Sequence, residues 1–204
     1  MLAAVGLVAV ASAGAGAVML ARDTASAVER PASAALRGDA SWAPASRPAP
    51  AIALRDQHGR AFSLRSERGR VVMLTFLDSR CRTLCPVESR LLARVARSLP
   101  AAARPDVVVV SVDPAGDTPP SVRHALREFR GVRHATWLTG TRARLARVWR
   151  EYGVEVKPVS GDIEHTSVLY LLDRRGDERA GMLFPFSPPS LAHDLALLAA
   201  EPAA

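Results

Sequence analysis

Two cysteines four residues apart constrain this chain more than anything else in it. Cys81-Arg82-Thr83-Leu84-Cys85-Pro86 holds both cysteines of the 204 residues. An apolar run over residues 71–77 ends just before it, and an amphipathic stretch over residues 87–99 follows. The pattern is strand, short loop, thiol pair, helix. Pro86 suits the first helical position, where its missing N–H has no intrahelical partner to lose. Cys85 then sits at the cap and Cys81 about one turn earlier, so the sulfurs converge. Such a pair can share a soft metal ion or close a disulfide. Unpaired N–H groups and the helix dipole favour an anion there. Arg80 and Arg82 add positive charge, and both effects favour thiolate. The bland alternative is a structural disulfide or two inert core cysteines. The junction of a buried strand and a helix start is a poor place for either.

Hydrophobic residues make up 49% of the chain and charged residues 23%, enough to build a core. The net charge of +7 raises nucleic acid or an anionic membrane surface as partners. Nucleic acid is set aside: the arginines are dispersed, aromatics are 5%, and no DNA- or RNA-binding motif occurs. Lys157 is the one lysine, so the richness in Arg, Ala and Pro reads as compositional bias.

Residues 2–20 carry no charge and, at about 1.5 Å per residue, just span a bilayer core. Residues 1–21 are therefore expected to be a signal anchor or a cleaved signal peptide. Ala11-Ser12-Ala13, Ala15-Gly16-Ala17 and Ala25-Ser26-Ala27 resemble cleavage sites. No Lys or Arg precedes the run and Arg22 follows it, the reverse of the usual charge rule. Residues 22–50 are rich in Ala, Ser, Pro and Arg and read as an Ala/Pro-rich tether, with Trp42 its one large anchor. This organisation suits a folded domain, residues 51–204, outside the cytoplasm, tethered to the cell membrane or exported.

Within that domain, Ile52-Ala53-Leu54 and Phe62-Ser63-Leu64 flank a turn and predict a hairpin. Residues 71–77 and 107–112 read as strands buried on both faces. Val87, Leu91, Leu92, Val95 and Leu99 mark the inner face of the helix between them. Asp117 or Thr118 caps a second helix with Pro119 at its first position. Trp137-Leu138 is a short strand, and Leu145, Val148, Trp149 and Tyr152 give a third helix capped by Thr141. Residues 157–164 read as a polar loop, 167–172 and 180–184 as two strands, and 189–199 as a last helix. The expected fold is α/β, a thioredoxin-like three-layer sandwich with a central mixed β-sheet flanked by helices.

Of five histidines, His165 stands out by position. It closes a Gly-containing loop and precedes a strand, and in a thioredoxin-like fold that strand start lies opposite the helix bearing the thiols. Cys81, Cys85 and His165 together make a soft set suited to Cu(I), or to Cu(II) with a further oxygen ligand. A closed zinc site wants a fourth protein ligand, and none is evident. Met73 and Met182 lie in apolar strand-like runs and read as core. Asp113 reads as a neighbour of the thiols or as a turn residue.

The chain resembles the SCO/SenC family of copper-binding, thioredoxin-like assembly proteins. The resemblance rests on Cys81-x-x-x-Cys85-Pro86, Ser111-Val112-Asp113-Pro114 with Asp117-Thr118-Pro119, and Trp137-Leu138-Thr139-Gly140. It extends through His165-Thr166-Ser167 into Tyr170-Leu171-Leu172-Asp173 and Gly176. It implies a membrane-tethered extracytoplasmic domain with copper held by Cys81, Cys85 and His165. It also implies delivery of copper to the cytochrome c oxidase copper site, or upkeep of that site's cysteines in reduced form. The implied partners are an oxidase subunit or another exported cuproprotein, and a thiol reductant. The family's usual loop is Cys-Pro-Asp-x-Cys, where this chain has Arg82-Thr83-Leu84, and Glu164 stands where an Asp is usual.

Two other functions fit the thiols. In a thiol–disulfide oxidoreductase Cys81 attacks and Cys85 resolves. The spacing of three residues, and Glu164-His165-Thr166 where that class has a proline, weigh against it. A thiol peroxidase wants Thr or Ser three residues before the reactive cysteine, and Asp78 is there instead.

Overall fold

A computed structural model describes residues 35–202. The expected signal segment, 1–21, and residues 22–34 of the expected tether lie outside the described residues. In chain order the elements are β1 (Ala40–Ser41), β2 (Ala53–Arg55), β3 (Ala61–Ser63), β4 (Val72–Leu77) and α1 (Leu84–Ser98). Then come β5 (Asp106–Ser111), α2 (Pro119–Ala125), β6 (Ala135–Leu138), α3 (Arg142–Glu151), β7 (Val156–Val159) and β8 (Asp162–His165). The chain closes with β9 (Val168–Leu172), β10 (Glu178–Leu183) and α4 (Pro188–Ala200).

Six strands form one sheet in the order β1-β10-β9-β4-β5-β6. β4, β5 and β6 run parallel, while β9 is antiparallel to β4 and β10 to β9, so the sheet is mixed. Every residue of β4 and β5 is buried, which is why both read as unbroken apolar runs. Successive side chains point to opposite faces. Met73, Leu77, Val107, Val109, Leu169 and Leu171 pack against Leu92 and Val95 of α1 and Leu191 and Leu195 of α4. Val72, Leu74, Phe76, Val108 and Val110 pack on the other face against Leu145, Val148 and Trp149 of α3 and Ile52 and Leu54 of the hairpin. The result is the expected three-layer α/β sandwich.

Three local expectations need correction. The part of the expected tether that is described is held to the sheet. β1 pairs antiparallel with β10, and Pro48 bridges Asp177. The Arg47 guanidinium stacks 4.2 Å above the Trp42 ring and pairs with the buried carboxylate of Glu178. Trp42 supplies apolar contact that composition, averaged over a proline-rich stretch, conceals.

The face of α1 is rotated from the expected one. Val87 is 45% exposed and Glu88 is 1% exposed. Leu92 and Val95 fix the inward direction, and a residue four before Leu92 shares it while Val87 lies about 100° away.

Residues 157–164 are not a loop. They lie in β7 and β8, which pair as a separate hairpin turning at Gly161, whose φ is 76°. A positive φ there is strain-free for glycine.

Candidate metal centre

The topology brings three loops to one edge of the sheet. β4 ends at Leu77 and delivers Asp78-Ser79-Arg80 to the thiol loop. β5, parallel to it, ends at Ser111 and delivers Asp113 and Asp117 to the same edge. The two loops are tied together. Ser79 N–H donates to Asp117 Oδ1 (3.0 Å), and Ser79 Oγ donates to Ser121 Oγ (2.8 Å). Asp117 Oδ2 also accepts from the Trp137 indole N–H (2.8 Å). The third loop precedes β9. The antiparallel register pairs Thr75 with Leu169. That pairing brings the start of β9, and with it the loop that follows His165, to the end of β4 from which the thiol loop departs, close enough for the charge of Cys81 to act on His165.

α1 begins at Leu84, so Cys85 lies in its first turn rather than at its cap, and Pro86 is the third helical residue. Proline remains tolerated there because the first four helical N–H groups have no intrahelical acceptor. Thr83, at the cap, makes no side-chain capping bond. Cys81 takes that part: the Cys85 N–H donates to Cys81 Sγ (3.4 Å). Thr83 Oγ1 stands 3.6 Å from the same sulfur.

Both cysteines are free, Cys81 half-buried and Cys85 buried. The Cys85 thiol bonds to the Cys81 sulfur, and together with the Cys85 N–H it holds Cys81 down to about 4. The same bond, with burial, pushes Cys85 far up. The pair thus shares one proton, a thiolate on Cys81 and a thiol on Cys85.

The charges around the sulfurs are not those the sequence suggests. Arg80 is turned to Asp113, Nη2 to Oδ2 at 2.6 Å, and is only a small net charge beside the thiols. Gly116 leaves the room for this pair, since a Cβ there would stand 2.0 Å from Arg80 Nε. Arg82 is exposed. Asp78 is buried, accepts the Arg80 N–H (2.7 Å) and is pushed up to about 6 by burial, with Asp117 and Asp113 reinforcing the shift.

Glu88 is a site neighbour that the sequence reading missed. Thr75 Oγ1 lies 2.6 Å from Glu88 Oε1 and 3.1 Å from the Val168 carbonyl. A hydroxyl has one proton and the carbonyl can only accept it, so a protonated Glu88 completes the network. Burial accordingly pushes this carboxyl up to about 7. The signal was present: Glu88 is three residues after Cys85 and four before Leu92, a charge on the buried face.

His165 ends β8. Its Nδ1–H donates to the Thr166 carbonyl (3.1 Å), which leaves Nε2 with a free lone pair. Burial lowers its pKa, and the nearby charge of Cys81 acts in the opposite sense. Cys81 and Cys85 are brought together; His165 is near them but does not close on them. Among the described residues no three His, Cys, Asp or Glu side chains converge tightly enough to enclose an ion. A cleft of about 640 Å³ separates Cys81, Arg82 and Thr83 from Pro158, Val159 and Ile163 of the β7–β8 hairpin.

Position, pairing and sequence agree with one family. The SCO1/SenC sequence model matches residues 44–199. The chain belongs to the SCO1/SenC family. A Stutzerimonas stutzeri relative named for copper binding is 30% identical over 149 residues, 70% of this chain and 72% of that one. Copper-bound ScoI of Bradyrhizobium japonicum superposes with a TM-score of 0.60 at 29% identity, over 72% of this chain and 97% of that one. A SCO1/SenC family lipoprotein of Bacillus anthracis gives 0.67 at 21% identity, over 78% and 99%, and speaks for the fold alone. In this SCO1/SenC chain the family's fold holds although the thiol loop reads Arg82-Thr83-Leu84.

Proposed function

We propose that this protein is an extracytoplasmic copper carrier of the SCO/SenC type, with copper as its cargo. It delivers copper to the cytochrome c oxidase copper site, or keeps the cysteines of that site reduced. Cys81, Cys85 and His165 are the ligands. One observation carries this reading: Cys81 Sγ, in the loop before α1, accepts the N–H of Cys85 in its first turn, and an imidazole with a free Nε2 stands nearby. Soft thiolates with a neutral imidazole suit copper, and Cu(I) above all. The paired Arg80 no longer counts strongly against a cation here.

Loading removes the remaining proton from Cys85 and draws His165 across to the sulfurs. A target with two cysteines takes the ion by exchanging thiolate for thiolate. Oxidation of Cys81 and Cys85 to a disulfide passes two electrons to an oxidant, releases the one proton held by Cys85, and removes both sulfur ligands. A thiol reductant restores them. The same chemistry lets the pair reduce a target disulfide, and Cys81, as the more accessible thiolate, is then the attacking atom. Tethering through residues 1–21 is part of this proposal; among the described residues no helix is long and apolar enough to cross a membrane.

The test is a competition for Cu(I) against a chromophoric chelator, with the chain fully reduced and then with the disulfide formed. The account expects tight binding by the reduced chain and loss of at least a hundredfold in affinity after oxidation, about 2.7 kcal/mol. Equal binding by both forms contradicts it.

A further inference from the structure

The edge of the sheet opposite the thiols, where β4 and β5 begin, holds a second cavity of about 180 Å³. Arg70, Arg104, Arg133 and Arg174 all line it, together with Ala101–Ala103. Two of these charges are balanced. Arg70 Nε lies 2.8 Å from Asp106 Oδ2 and its Nη2 lies 2.9 Å from Glu67 Oε2. Arg133 Nη2 lies 2.8 Å from Asp106 Oδ1. The other two are not. Arg104 donates only to backbone carbonyls, Nε to Leu99 (3.1 Å) and Nη2 to Arg97 (3.3 Å). Arg174 Nη1 donates to the Glu201 carbonyl (2.9 Å), while the Glu201 carboxylate is turned to Arg179. Among the described residues neither Arg104 nor Arg174 pairs with a carboxylate.

Carbonyl bonds fix a guanidinium in direction without cancelling its charge. Each still has N–H groups to spare in a fork that matches an oxyanion. Four guanidiniums against Asp106 and Glu67 leave two positive charges at the cavity. We propose that this cavity is a binding site for a phosphate group, carried by a soluble phosphate or by a phospholipid headgroup. The site lies away from Cys81, Cys85 and His165, and it stands or falls independently of the copper reading.

The experiment titrates inorganic phosphate into the full, reduced, metal-free chain. The backbone resonances of Ala101–Ala103 and the arginine Nε–H resonances are followed, with chloride holding the ionic strength constant. Saturable shifts at these positions are expected. An R104Q/R174Q double variant is expected to bind roughly tenfold more weakly or worse. Arg104 also ties down the end of α1, so R174Q alone is run beside it, with the melting temperature of each variant. A Cys81→Ala variant is expected to bind phosphate like wild type. Shifts that do not saturate, or that chloride reproduces, overturn the proposal, as does undiminished binding by a folded R104Q/R174Q chain. Co-sedimentation with phosphatidylcholine vesicles, with and without phosphatidylglycerol, identifies the source. Anionic-vesicle binding that exceeds the double variant's assigns the site to a headgroup. Phosphate binding without that excess assigns it to a soluble phosphate.

Discussion

At the scale of single residues, the two cysteines are chemically unlike although the sequence presents them as a pair. Cys81 is a thiolate held at about 4 by the Cys85 thiol, and Cys85 keeps its proton. Thiolate persists above that pKa and is lost below it. Alkylation of the reduced chain is therefore expected to modify Cys81 first, at a rate that falls only as pH approaches about 4. A rate climbing with a midpoint near the ordinary thiol value would contradict the shared-proton arrangement. His165 behaves in the matching sense. Its lowered pKa keeps the imidazole neutral, and able to bind metal, at pH values where an ordinary histidine is half protonated. Copper binding, read by chelator competition across pH, is thus expected to persist below the pH at which an ordinary histidine protonates, and a loss centred at that ordinary value of about 6.5 would argue against burial of His165. The three candidate ligands were legible because their chemistry is rare in this chain. Asp78, Asp117 and Glu88 were not, because a carboxylate announces a role at the thiols only once burial and the loop ties are known.

At the scale of elements, α1 carries an uncommon burden, a carboxyl wholly buried on its inner face. Glu88 has its folded pKa raised to about 7 from an ordinary 4.5. The unfolded chain releases that proton first, so stability is full at low pH and declines as pH rises from about 4.5 to about 7. Glu88→Gln keeps the shape and the link to Thr75 and removes the decline. It is expected to be close to wild type at pH 4.5 and more stable at pH 8 by on the order of 2 kcal/mol, measured by chemical denaturation. Equal pH slopes for the two chains would show that Glu88 does not carry the shift. Strands β4 and β5 were legible because burial on both faces leaves an unbroken apolar run. The β7–β8 hairpin was not: its residues are largely exposed, and of its apolar residues only Val156 and Ile163 are partly buried against the core, too few apolar positions to stand out in a polar stretch.

At the scale of the whole molecule, the fold gathers the site by strand direction. The C-terminal ends of β4 and β5 and the start of the antiparallel β9 meet at one edge, where open α/β sheets commonly bind their ligands. The fold also begins earlier than composition suggests, since β1 and Trp42 cover the outer side of β10. Trp42→Ala, which removes the ring under Arg47 and against Gly181, is expected to lower stability by about 1–2 kcal/mol in thermal or chemical unfolding. An unchanged midpoint would return residues 40–50 to the role of a tether. The sandwich followed from the order of strands and helices, while this edge strand, two residues long and exposed, left no trace in the sequence pattern.

The measurement that bears most directly on the central claim is the copper stoichiometry of the full, reduced chain, loaded anaerobically, beside Cys81→Ala and His165→Ala. The account predicts one copper per wild-type chain, with thiolate-to-copper absorption when Cu(II) is used, and loss of that binding in both variants. No copper bound by the reduced wild type, or full binding retained by both variants, would contradict it.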